Sequence, residues 1–246
     1  MVGIIRTNSN AKATGRKYWN PVQRGLEYSF LGDLEDVGFN YAPGKPSASV
    51  VGTPVRGADS FSWRFKGLED YLQTEMTDTA AQTFICVART FDTLADNDTK
   101  PTFFGTSFGL PSLQETSSVT FGSRMYITTA GAMRWGAGRG TSVSDDVQAT
   151  PSILNDADAY EIYVMQTGTQ NKITSATSGL TDTDAETAAR FPTQNMFRIG
   201  SGFESSTTGE NDIAVLRGWG VDLTTDEIAA EVADVRAYMA GLGITV

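Results

Sequence analysis

Leu26, Tyr28 and Phe30 alternate with polar residues, the two-residue period of a half-buried strand. The same logic predicts short strands over residues 48–51, 102–105, 118–122, 125–129, 132–135, 160–165, 172–175, 196–200 and 212–219. Thr83 to Ala88 reads TFICVA, a nearly continuous apolar run suited to a central strand covered on both sides. Phe61, Trp63 and Phe65 are spaced to share one face of a further strand. One segment has a different period. Ile228, Val232, Val235, Met239 and Leu242 recur at steps of three and four, which predicts an amphipathic helix over 224–242. Thr224 and Glu227 have capping-box spacing at its start, and Gly241 and Gly243 stand at its stop. The polar stretch 178–191 is expected to hold one helical turn. Roughly a dozen strands with a single long helix predict an all-β fold, a two-sheet antiparallel sandwich of jelly-roll type. The helix must bury its apolar face on a sheet. Trp63 and Trp219 are expected in the core.

Composition narrows the chemistry. The 246 residues contain no histidine, which removes the commonest general base and metal ligand, and with them Ser-His-Asp and Cys-His hydrolysis. The single cysteine, Cys86, lies between Ile85 and Val87 and reads as a buried small hydrophobe. The net charge is −10 and the pI about 4.5, which argues against nucleic acid as a partner. No apolar run reaches the length of a membrane span, and no secretory signal opens the chain. A protein of this kind is expected to stay inside the cell or to leave by another route, such as virion release by lysis. Charge is unevenly placed. Five of the 19 basic residues (Arg6, Lys12, Arg16, Lys17 and Arg24) precede the first acid, Glu27, so the remainder carries 14 basic against 29 acidic residues. Residues 1–24 therefore read as a basic arm that lies on its own acidic body or docks on a neighbour, with Arg16, Lys17 and Trp19 as candidate partner-binding residues.

Candidate chemistry is sparse. A retaining glycosidase needs two carboxylates converging on one cleft. Glu35–Asp36 and Glu69–Asp70 are adjacent and point apart when extended, Asp145–Asp146 sits in a loop, and no acid-x-acid-x-x-acid pattern or close carboxylate pair falls on one predicted strand. Asp96, Asn97 and Asp98 are the densest oxygen cluster, but they lack EF-hand spacing and read as a solvated turn. No metal site and no cofactor are expected. AGAMRWGAGRGTS places Arg134, Trp135 and Arg139 in a glycine-rich stretch. There the indole offers a flat plate for a sugar ring and the guanidiniums offer forked donors, so these three are the candidate ligand-binding residues.

The order of segments resembles a known family. GLEYSFLGDLEDVG, then SVVGTPV, then SFSWRFKGLEDYLQ with Phe65, Gly67, Asp70 and Tyr71, then TFICVART, resemble the opening of a concanavalin A-like, laminin-G-type jelly roll. The hairpin YEIYVMQTGTQNKITS, followed by RIGSG and DIAVLRGWGVDLTTDEI, resembles its middle and close. The resemblance spans about residues 25–246, including the helix, which is longer than the family's one-turn cap; the basic arm lies outside it. It implies a non-enzymatic structural or adhesive module of a bacteriophage tail or virion surface. Other virion proteins, further copies of the chain and a surface glycan are the expected partners. A free-standing lectin and a glycan hydrolase are the alternatives.

Overall fold

The computed structural model describes residues 19–96, 99–108, 120–154 and 156–246. In chain order the first eight strands are β1 (Leu26–Leu31), β2 (Ser49–Val51), β3 (Val55–Arg56), β4 (Trp63–Lys66), β5 (Tyr71–Thr77), β6 (Thr83–Arg89), β7 (Thr102–Gly105) and β8 (Ser123–Ile127). The next eight are β9 (Ala132–Arg139), β10 (Val147–Ala149), β11 (Ser152–Leu154), β12 (Glu161–Gln166), β13 (Lys172–Ser175), β14 (Thr181–Thr183), β15 (Met196–Ile199) and β16 (Glu210–Trp219). One helix, α1 (Thr225–Gly241), follows.

The strands form two antiparallel eight-stranded sheets. One runs β14-β13-β12-β6-β16-β4-β3, with β1 paired to the second half of β16. The other runs β10-β9-β8-β7-β15-β5-β2, with β11 paired to β9. The expected sandwich is therefore present. Its layers follow from alternation. Phe84, Cys86 and Ala88 of β6 face the second sheet, whereas Ile85 and Val87 face α1. Between the sheets, the rings of Phe84, Phe104, Phe197 and Trp135 interlock, with centroids 4.9–6.2 Å apart. Burial pushes the Cys86 thiol pKa well up, as befits a small core residue.

α1 closes the third layer. The Thr224 side chain accepts from Glu227 N–H, and the Glu227 carboxylate accepts from Thr224 N–H at 2.8 Å, so the capping box forms as predicted. Val232, Val235 and Met239 are buried against β6, β12 and β16. Glu231 is buried among them, where its carboxylate pairs with Arg217 of β16 and accepts from Val22 N–H at 2.6 Å. Arg24 pairs with Glu227 at 2.7 Å. Residues 22–24 are thus fastened to the helix and the body of the chain.

Three expectations fail locally. Phe61 does not share a face with Trp63 and Phe65: it packs under α1, whereas the other two belong to the inter-sheet core. Asp59 Oδ1 accepts from Phe61 N–H and Ser62 N–H at 3.2 and 3.1 Å, and Ser60 takes φ +61°. This Asx turn rotates the chain before β4 starts. The expected helical turn within 178–191 is absent; β14 lies there instead. The predicted strand 118–122 falls partly outside the described residues, and Thr120 makes only an isolated bridge position. No helix among the described residues is long and apolar enough to cross a membrane.

Candidate functional site

The glycine-rich stretch does not build a ligand plate. Residues 132–139 form the full strand β9, so Arg134 and Trp135 point to opposite sides of the sheet. Trp135 is wholly buried in the inter-sheet core, and its Nε1–H donates to Gln166 O at 3.2 Å. Arg139 is also buried. Its guanidinium donates to the carbonyls of Thr167, Gly168, Thr169 and Ala188 and to Asn171 Oδ1, at 2.6–3.1 Å. All five contacts are structural: four tie the 167–171 turn to β9, and the fifth holds the segment at Ala188. Arg134 is half-buried on the outer face of its sheet, opposite Tyr126 and Ser152. These three residues therefore do not converge. Arg16 and Lys17 lie outside the described residues, and Trp19 stands 63% exposed.

A different cluster does converge, where β4, β16 and β6 end side by side. The register aligns Arg64, Asp212 and Arg89 across the three strands, all on the outer face of the sheet. Arg64 Nε and Nη2 donate to the two oxygens of Asp212 at 2.7 and 3.1 Å, a bidentate fork. Arg89 Nη2 bridges Asp59 at 2.8 Å and Asp212 at 3.5 Å. Tyr160 donates its phenol hydrogen to Asp59 at 2.6 Å, and burial, then that hydrogen bond, pushes its pKa well up. The Arg89 guanidinium lies 4.1 Å from the Tyr160 ring centre and 4.4 Å from that of Phe91.

Beside this network is a cleft of about 100 Å³, lined by Arg64, Phe91, Asp92, Glu210, Asn211 and Asp212. Thr90 fixes its rim: its hydroxyl donates to Glu210 O at 2.7 Å and accepts from Asp92 N–H at 3.1 Å. Asp92 in turn accepts from Glu210 N–H, and partial burial raises its carboxyl pKa above the usual value. Gly209 lets the two segments meet, since a Cβ there would sit 2.6 Å from Asp92 Oδ2. Phe91 is 53% exposed, the most open aromatic ring on the described body apart from Trp19. Arg64 Nη1 reaches Glu210 only at 3.8 Å, which leaves that N–H fork partly free. Asn211 Oδ1 is buried without a hydrogen-bond partner at the back of the same segment.

The cleft corrects one expectation. β16 begins at Glu210, two residues earlier than predicted, so Glu210 and Asp212 form an acid-x-acid pair on one strand face. Asp212 is not free for chemistry, because its buried carboxylate is occupied by two guanidiniums. The sequence signal for the site was present as ARTFD after a central strand and END opening another. An exposed aromatic beside carboxylates at strand ends reads as a loop unless the register is known. The Asp96–Asp98 cluster is only partly within the described residues. Among the described residues, no group of three or more acidic or cysteine side chains is arranged to hold a metal ion. The outer face of the other sheet also stacks arginines on rings, Arg198 on Phe203 at 3.7 Å and Arg124 on Tyr126 at 4.2 Å. Arg124 and Tyr126 are buried, so that face offers less open surface.

Comparison with known proteins gives architecture. No protein-family model matches the chain, and no curated protein matches it. Solved structures do. The receptor-binding domain of botulinum neurotoxin D superposes with a TM-score of 0.59 at 7% identity, over 87% of this chain and 54% of that one. The binding domain of botulinum neurotoxin DC in complex with SialylT gives a TM-score of 0.59 at 6% identity, over 86% and 51%. A Trypanosoma rangeli sialidase in complex with sialic acid gives 0.55 at 14% identity, over 88% and 34%. The likeness is one of fold. The chain spans about half the length of the toxin domains and about a third of the sialidase.

Proposed function

We propose that the chain is a non-enzymatic carbohydrate-binding sandwich of the concanavalin A-like kind, used for adhesion. One observation carries the reading: the cleft sets the open ring of Phe91 beside a partly free guanidinium, Arg64, and two hydroxyl-accepting carboxylates, Asp92 and Glu210. A pyranose needs those three things, an apolar plate, a forked donor and acceptors. Two of the similar structures are described with SialylT and with sialic acid, which supports saccharide as the ligand class. The placement of the cleft supports adhesion. It lies at the Asp212 end of β16, whereas residues 22–26 join the opposite end, at Trp219. Seven strand steps separate the two, about 23 Å. The reading extends to a virion-surface or bacteriophage-tail module assembled through residues 1–24 as a homo-oligomer; the segment pattern and the basic composition of residues 1–24 support it.

Phe91→Ala tests the site. Titration with immobilised oligosaccharides is expected to show at least about tenfold weaker binding, as for loss of a central aromatic anchor, with the melting temperature unchanged. Undiminished binding sinks the assignment of this cleft. A second reading, glycan hydrolysis, is favoured by the raised carboxyl pKa of Asp92 beside the ionisable Glu210. Sustained release of reducing ends from polysaccharide, lost in Asp92→Asn, would establish it in place of the first.

A further inference from the structure

We infer that the cleft at the β4–β16–β6 ends selects saccharides bearing a protonated amine and disfavours those bearing a carboxylate. The inference rests on the carbohydrate reading and sharpens it. Two guanidiniums, Arg64 and Arg89, face four carboxylates, Asp59, Asp92, Glu210 and Asp212, which leaves an excess of two negative charges. Lys66, the register partner of Glu210, is paired with Glu69 at 2.9 Å. The two carboxylates not held by a bidentate or short ion pair are Asp92 and Glu210, and both line the cleft.

The positive groups are already committed. Arg64 is forked onto Asp212, and Arg89 is held by Asp59 and Asp212 between the rings of Tyr160 and Phe91. A sugar carboxylate entering here meets only the remaining N–H of Arg64, a guanidinium already neutralised by Asp212, and faces the carboxylates of Asp92 and Glu210. An ammonium finds those carboxylates favourable, together with the ring of Phe91, whose face attracts cations. The chemistry therefore separates this cleft from a sialic-acid site, although similar folds are described with that sugar.

The experiment is calorimetric titration of the whole chain in mildly acidic buffer with three ligands: a glucosamine oligosaccharide, its N-acetylated counterpart and a sialylated oligosaccharide. The amine form is expected to bind roughly threefold to tenfold more tightly than the N-acetylated form, as two partly exposed charges allow. High salt should erase that margin, and Glu210→Gln should reduce it. The sialylated ligand should bind most weakly. Equal affinity for the amine and acetylated forms, or preference for the sialylated one, overturns the charge selectivity and leaves the carbohydrate reading standing. Binding of none of the three, with the fold intact by circular dichroism, overturns the carbohydrate reading itself. Phe91→Ala, measured alongside, separates the cleft from other surfaces, because selectivity that survives that change belongs elsewhere.

Discussion

Single residues divide into those that hold the fold and those that meet solvent, and the arginines divide most clearly. Arg139, Arg190 and Arg217 are buried, and each donates several hydrogen bonds within the fold. Arg190, for example, donates to Asp78 at 2.7 Å and to the Ser123 hydroxyl at 2.8 Å. Arg217 meets Glu231 and, at 2.7 Å, Asp234. Burial pushes the Glu231 carboxyl pKa up, and Arg217 pulls it back down. Arg217→Ala strands that carboxylate, and an uncompensated buried charge costs about 3–5 kcal/mol. Chemical denaturation is expected to show that loss; a change within half a kcal/mol would mean the pair is not buried as described. Residue identity alone misled at Trp135. A tryptophan among glycines suggested an exposed plate, yet the glycines lie on the outer face and Trp135 on the inner one. A Cβ at Gly136 would lie 2.7 Å from Gln148 Nε2, and one at Gly138 would lie 2.8 Å from Asp146 Oδ1, so side chains of the next segment already cover that face. Such cover is set by the register and leaves no local mark in a sequence.

Elements were more legible than residues, to the extent that their causes are local. The α1 start was readable because the capping box lies within four residues, and β6, β7 and β13 because alternation or a continuous apolar run lies within six or seven. The β4 entry was not readable, because an Asx turn resets the face. The helix start also carries a pH dependence. Arg24 and the Thr224 N–H hold the Glu227 carboxyl down to about 2. Its unfolded value is about 4.3, so the contribution is present above that pH and is lost as pH falls through the folded value. The melting-temperature difference between the natural chain and Arg24→Met is therefore expected to be constant above about pH 5 and to vanish toward about pH 2. A difference that grows on acidification would show that another group controls the cap.

At the scale of the molecule, the two-sheet architecture followed from strand density, while the cleft did not. It is assembled from residues 64, 91–92 and 210–212, which only the register brings together. The polarity of the molecule gives the remaining prediction. Removing residues 1–18 leaves the Val22–Glu231 and Arg24–Glu227 contacts in place, so the melting temperature should not change. If the arm serves assembly, the mass in solution by light scattering should fall. An unchanged mass would remove the assembly role.

β15 and β16, internal strands that link the parts of their sheets, come from residues 196–219. Before that segment is translated, β5 and β2 have no link to β7 in one sheet, and β1 and the β4–β3 pair have no link to β6 in the other. Phe84 and Phe104 can then pack on each other and on Trp135 but lack the ring of Phe197. The nascent chain thus carries unpaired strand edges until residues 196–219 are made, and closure of such distant segments is intrinsically slow. Premature termination in this region should yield insoluble fragments, and slow growth temperatures or chaperones should raise the soluble yield of the whole.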